Sequence, residues 1–91
     1  MDQYEFHYDA GHGWLQVEIA ELKQLGLGDK ISSCSYTNGG LFAYLEEDCD
    51  APLFMRTKSA NGESYQCKEI NDGDDSFIRQ LPRFTPIGNF V

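Results

Sequence analysis

Three residues near the start of the chain carry the donor chemistry of a metal site. His7, Asp9 and His12 follow the spacing H-x-D-x-x-H, and two imidazoles with a carboxylate around one turn suit zinc or a similar ion. If the alternating aromatics Tyr4, Phe6 and Tyr8 face a core, His7 and Asp9 share the opposite side. A structural site wants a fourth ligand, and neither a CxxC nor an HExxH pattern supplies one. The competing reading is that these side chains hydrogen-bond to the backbone of a turn. The expectation is a chain with no cofactor, with the set His7, Asp9 and His12 as the alternative.

The densest charge cluster is Glu46, Glu47, Asp48 and Asp50. Paired carboxylates perform acid and base chemistry only in a pocket that gives them different environments, and a chain this short has little room for one. The run lacks the alternating ligands and glycine of an EF-hand loop, as does Asn71-Asp72-Gly73-Asp74-Asp75. Two readings stand: a helix cap with solvated acids, or carboxylates that receive the arginines and lysines of a partner. Cys49 lies near an expected helix start, but acidic neighbours disfavour its thiolate and no histidine follows at a known spacing. No GxxxxGKS/T, GxSxG or GxGxxG motif is present, so Gly11 and Gly13 read as a turn. An enzyme is the less favoured class.

The elements that would position these groups follow from periodicity. Residues 3–8 alternate as a strand with one buried face, and Ala10 to Gly13 turn the chain into a second short strand at 14–17. From about residue 18 the period lengthens, with Ile19, Leu22 and Leu25 on one helical stripe and Gly26 placed for a left-handed cap. Thr37-Asn38-Gly39-Gly40 links strands at 31–36 and 41–45, the second apolar on both faces and hence covered on both. Asp48 or Asp50 can cap a second helix over 51–58, with Pro52 tolerated in its first turn. Residues 64–70 form a further strand. The tail, 76–91, carries Phe77, Ile78, Leu81, Phe84, Ile87 and Phe90, but Pro82 and Pro86 preclude a long helix there. The order ββαββαβ predicts an α+β fold: a mixed, mostly antiparallel sheet with helices on one side, in a single domain over 1–91 with a partly irregular tail. Trp14, Tyr36, Tyr44, Tyr65 and the tail phenylalanines are expected mostly in the core.

Composition narrows the classes further. The chain has 91 residues, 41% of them hydrophobic, and a net charge of −8. Residues 1–50 hold ten acids against Lys23 and Lys30, whereas residues 51–91 hold five acids and five bases. Such a balance argues against direct nucleic-acid binding, which needs lysine and arginine to displace counterions. It suits either a self-repelling soluble surface or an acidic face for a basic partner. Cys34, Cys49 and Cys67 are odd in number and irregularly spaced, so reduced, partly buried thiols are expected rather than a disulfide scaffold. The first residues have neither a basic start nor an apolar stretch, and no run is long enough to span a bilayer; a cytoplasmic location is expected.

Three segments, HYDAGHGWLQV at 7–17, ISSCSY at 31–36 and YLEEDCDA at 44–51, carry a resemblance over roughly the first 55 residues. Together they resemble a group of short proteins without assigned activity encoded by bacterial phages, prophages and plasmids. The resemblance implies a mobile-element setting, in which small acidic proteins often inhibit host defences in the manner of anti-CRISPR or antirestriction proteins. The expected function is a non-enzymatic binding module. Glu46, Glu47, Asp48 and Asp50, with Glu18 and Glu21, would dock on the basic surface of a host protein, in the place of nucleic-acid phosphates. Two alternatives are a metal-binding protein or metal-dependent enzyme using His7, Asp9 and His12, and a homo-oligomer, a dimer for example, closed by the hydrophobic tail.

Overall fold

A computed structural model describes residues 2–86. Strand β1 (Asp2–Tyr8) turns through residues 9–12 into β2 (Gly13–Glu18), antiparallel to it, with Phe6 opposite Leu15 and His7 opposite Trp14. Helix α1 (Ile19–Gln24) follows at once. Its end is a left-handed cap: Gly26 has φ of 73° and the Leu27 N–H donates to the Leu22 carbonyl at 2.8 Å, the arrangement expected when a glycine supplies positive φ without a Cβ penalty. Then come β3 (Tyr36–Thr37), β4 (Phe42–Glu46), α2 (Asp50–Ala60), β5 (Tyr65–Asn71) and a 3₁₀ turn, Phe77–Gln80. The strands form one open sheet in the order β3-β4-β2-β1-β5. All neighbours are antiparallel except β1 and β5, which run parallel with Asp2 opposite Tyr65 and Tyr8 opposite Asn71. This is the α+β, mostly antiparallel architecture that the periodicities imply.

Because strand side chains alternate between faces, the sheet carries two separate clusters. Tyr4, Leu15, Val17, Ala43 and Leu45 meet Leu22 of α1 and Ala51 and Phe54 of α2 on one face. The Tyr4 and Phe54 rings are edge-to-face with centroids 5.4 Å apart. On the other face Trp14 and Tyr44 pack against Ile78 of the 3₁₀ turn, with Tyr36, Phe42 and Leu81 around them. Helices therefore cover one face, and the segment after β5 covers part of the other.

Four sequence expectations change. Residues 31–35 are turns rather than strand, and only Tyr36 and Thr37 pair with β4. The Ser32 and Ser35 hydroxyls and the Ser32 N–H are drawn instead to the Asp50 carboxylate. Asp50 is consequently no cap; it is the first residue of α2, and the N-cap is Cys49, whose side chain makes no capping bond to the helix. All three cysteines are free and exposed rather than partly buried. Cys34 lies in the turns, Cys49 precedes a helix and Cys67 is on the edge strand β5, places that no packing element reaches. In the tail, Phe84 enters the main core while Phe77 stays half exposed; Ile87 and Phe90 lie outside the described residues. Among the described residues no helix is long and apolar enough to cross a membrane.

The helix side is held by a buried lysine. The Lys58 side chain is fully buried, and its ammonium donates to Asp2 at 2.6 Å, Glu63 at 2.7 Å and Glu21 at 2.9 Å. These acids come from the start of β1, from α1 and from the turn after α2. Tyr4 adds its hydroxyl to both oxygens of Glu21. Burial by itself would push the lysine down, but the bonds from Asp2, Glu63 and Glu21 outweigh it and hold the ammonium well above the ordinary lysine range. Burial, reinforced by Glu21, pushes the Tyr4 phenol up as well. Replacing Lys58 with methionine keeps a packed stem but leaves three carboxylates facing one another. The variant is expected to lose about 2 kcal/mol, less than the full cost of breaking a buried pair because Asp2 and Glu63 are half exposed. That loss corresponds to a Tm lower by about 10 °C in thermal circular dichroism, and an unchanged Tm would remove the lysine from this structural role.

Candidate functional site

Two places bring functional side chains together, one at each end of the central strands. The first is a corner built from the β1–β2 turn and the end of β4. Its anchor is Asp9, whose side chain is fully buried. One oxygen accepts the N–H groups of Gly11 and His12 at 2.9 and 3.0 Å, and the other accepts the Ser76 N–H at 2.8 Å. Arg79 then grips both oxygens, Nε at 2.6 Å and Nη2 at 2.9 Å. The guanidinium, helped by the Ser76, Gly11 and His12 N–H groups, holds the Asp9 carboxyl far below the usual carboxylate range despite its burial. Arg79 also lies 5.3 Å from the centre of the Trp14 ring, within range of a cation–π contact.

This geometry disperses the H-x-D-x-x-H set. Asp9 is spent on Arg79 and the backbone. His7 is buried, with Nδ1 at 3.0 Å from Asp72 and Nε2 at 3.1 Å from Glu5. His12 is exposed on the turn and reaches Glu46 with Nδ1 at 3.3 Å. The three expected ligands therefore do not converge. A different grouping does: a ring nitrogen of His12 and one carboxylate oxygen each from Glu46 and Glu47 all lie within 4.8 Å of one another. Sequence reasoning had both halves of this group but not their union, because 34 residues separate His12 from Glu46. The signal was the strand pairing: once β2 and β4 are neighbours, Trp14 stands opposite Glu46 and the turn before β2 meets the end of β4.

The second place is a cleft of about 670 Å³ over the part of the sheet that the 3₁₀ turn leaves open. Gln3, Glu5, Gln16, Glu18, Phe42 and Lys68 line its floor, and Asp2, Glu21 and Glu63 bring the carboxylates around it to five. Register explains the floor: Glu5 stands opposite Lys68, and Glu18 opposite Phe42, so these residues share one face of β5, β1, β2 and β4.

The six acids expected to form one docking surface are thus divided. Asp50 is buried, only 4% exposed, and its oxygens are taken by Ser32 and Ser35, which withdraws it from any partner. Glu21 is committed to Lys58 and Tyr4, though it still borders the cleft. Glu18 is exposed in the cleft. Glu47 and Asp48 are exposed at the opposite corner, where Glu46 is half-buried and accepts the Asp48 N–H at 2.9 Å. Glu5, Asp2 and Glu63, which the sequence did not single out, complete the cleft in their place. Cys49 is no better a nucleophile than its neighbours suggest. The Ser32 hydroxyl favours its thiolate, but the Cys34 thiol, some desolvation and the Asp50 charge outweigh it and push the thiol up.

No protein-family description matches the chain, and no curated protein or solved structure is significantly similar to it.

The Asp9 anchor fixes a pH dependence. Its carboxyl titrates lower in the folded than in the unfolded chain, so its stabilising contribution is complete above the ordinary carboxylate range near about pH 4 and drains as the pH falls toward the folded value. Urea unfolding from neutral pH down to about pH 2.5 is expected to show a steeper loss of stability for the wild type than for Asp9→Asn, which starts lower at neutral pH. Parallel acid limbs for the two proteins would contradict this.

Proposed function

We propose that the protein is a non-enzymatic binding module that receives basic side chains of a partner protein in the acidic cleft. The observation that carries the reading is the cleft's composition: five carboxylates border it and Lys68 is the cation in its lining. Lys58 lies behind Asp2, Glu21 and Glu63 and offsets part of their charge, which leaves the concavity strongly negative. A concave surface of one sign concentrates field lines and steers an oppositely charged partner into a rapid encounter. Glu18, exposed in the cleft, can accept a bidentate bond from arginine; Glu5 has one oxygen 3.1 Å from His7 Nε2 and offers the other, and the Gln3 and Gln16 amides beside them offer both donors and acceptors.

The partner chemistry that fits is a surface built to hold phosphates, with arginine and lysine in a row. In that role the carboxylates stand where a nucleic-acid backbone would. Together with the resemblance of residues 7–17, 31–36 and 44–51 to mobile-element proteins, it points to an inhibitor of a host nucleic-acid-binding defence protein, of the anti-CRISPR or antirestriction kind. The contacting residues in this reading are Glu5 and Glu18, with Asp2, Glu21 and Glu63 supplying the field; Asp50 has no part in it.

An arginine-rich peptide titrated into isotopically labelled protein tests the site directly. Amide shifts are expected to cluster at Glu5, Gln16 and Glu18, with affinity falling at least about tenfold between roughly 50 and 300 mM salt as the charges are screened. The double variant Glu5→Gln, Glu18→Gln is expected to bind at least about fivefold more weakly with an unchanged Tm. Shifts spread evenly over the acidic surface, or an affinity indifferent to both salt and the double substitution, would overturn the cleft as the binding site.

A further inference from the structure

The corner opposite the cleft has a different chemistry. We infer that His12, Glu46 and Glu47 form a divalent transition-metal site of the zinc type, open on one side. An imidazole nitrogen with two carboxylate oxygens is a donor set that Zn²⁺, Co²⁺ and Mn²⁺ accept, whereas Ca²⁺ prefers a shell of oxygens. The spacing agrees with the chemistry. Two donors each about 2.0–2.1 Å from a tetrahedral ion lie roughly 3.3 Å apart, and His12 Nδ1 stands 3.3 Å from Glu46 Oε2. All three donor atoms fall within 4.8 Å of one another, so the Glu47 carboxylate closes on the same centre with a small side-chain movement. The ion would take the place of the proton that His12 and Glu46 can share.

The three ligands are carried on backbone that is already fixed. The His12 N–H is bound to the buried Asp9 carboxylate at 3.0 Å. The Glu47 N–H donates to the Gly13 carbonyl at 3.0 Å, tying the end of β4 to the start of β2. Glu46 is oriented by its second oxygen, which accepts the Asp48 N–H at 2.9 Å, the kind of outer contact that aims a metal-ligating carboxylate. Gly13 matters for a steric reason. A Cβ there would collide with the Phe6 ring and lie 3.1 Å from Glu47 Oε2, so a larger residue would displace the ring and press on the Glu47 carboxylate.

Beside the ligands is a hollow of about 350 Å³, bordered by Phe6, Tyr8, Gly11, His12, Glu47 and Glu69. Three protein ligands and an accessible fourth position describe a site that keeps a water or accepts a donor from a second molecule. A second grouping, the three acids Asp2, Glu21 and Glu63, already surrounds the Lys58 ammonium and has no such vacancy for a cation.

Trp14, the single tryptophan, reports on the site because its ring centroid is 6.1 Å from that of His12. The experiment is a fluorescence titration with Co²⁺ on protein in which the exposed Cys34, Cys49 and Cys67 are all replaced by serine, which removes thiols as competing ligands. Saturable quenching at one equivalent, reversed by Zn²⁺, is expected. His12→Ala and, separately, Glu47→Gln are expected to weaken it by more than about tenfold, at least the loss produced by removing an outer-shell contact. Both side chains are exposed, so unchanged circular dichroism is expected to accompany the loss. Glu18→Gln, in the cleft, leaves the titration unchanged, which separates this site from the one proposed for partner binding. Quenching that survives His12→Ala, or that disappears when the cysteines are replaced, overturns the proposal.

Discussion

A carboxylate with no access to water is tolerated only when its charge is met from several directions, and Asp9 is the point where this constraint organises the chain. Satisfying it takes the Gly11 and His12 N–H groups from the β1–β2 turn, the Ser76 N–H from the far end of the sequence, and the whole edge of the Arg79 guanidinium. The turn is thereby shaped, and the 3₁₀ segment is pinned with Ile78 against Trp14 and Tyr44. That segment spans only four residues, so it covers one end of its sheet face and leaves the other bare. The corner bearing His12 and the open cleft are two results of the same attachment.

The opposite face relies on the same principle with the sign reversed. A domain this small buries a modest fraction of its surface, and here the apolar cluster is fastened at its edges by polar hubs. Lys58 gathers acids from three elements, and Asp50 gathers the hydroxyls of Ser32 and Ser35. Ser35 passes the connection on, since its oxygen accepts the Glu46 N–H at 3.1 Å. Of the fifteen acids in the sequence, several are therefore structural members. The acids free for recognition are a smaller group than the net charge suggests.

How much of this was legible in the sequence varies with the range of the interaction. The strand over residues 4–8, the Gly26 cap and the Asn38-Gly39-Gly40 turn are local, and their physics acts within a few residues; all three are where periodicity and turn chemistry put them, although in β1 His7 is buried on the face opposite Tyr4 while Phe6 and Tyr8 are only partly buried. Residues 31–35 read as strand because Ile31 and Tyr36 frame small polar residues, yet Asp50, far along the chain, recruits those hydroxyls into turns. The six acids read as one surface are divided for a related reason. Glu46 to Asp50 are adjacent in sequence, but the strand end and the first turn of a helix aim Glu47 outward and Asp50 inward. Glu5 and Glu63 join Glu18 only through the pairing of β1 with β2 and the closure of α2, neither of which leaves a mark in composition.

The parallel pairing of β1 with β5 bears on how the protein is made. Residues 2–8 have β2 on one side but must wait for residues 65–71 on the other, and Asp2 meets Lys58 across a sequence separation of 56 positions. Contacts so distant in sequence carry a large loop-closure cost and form late. During synthesis the hairpin of β1 and β2 can form early, but the outer edge of β1 stays unpaired until residues 65–71 have left the ribosome. An exposed strand edge is a template for association with other chains. Asp2 and Glu5 put two negative charges on that strand, and like charges on an open edge disfavour pairing between copies.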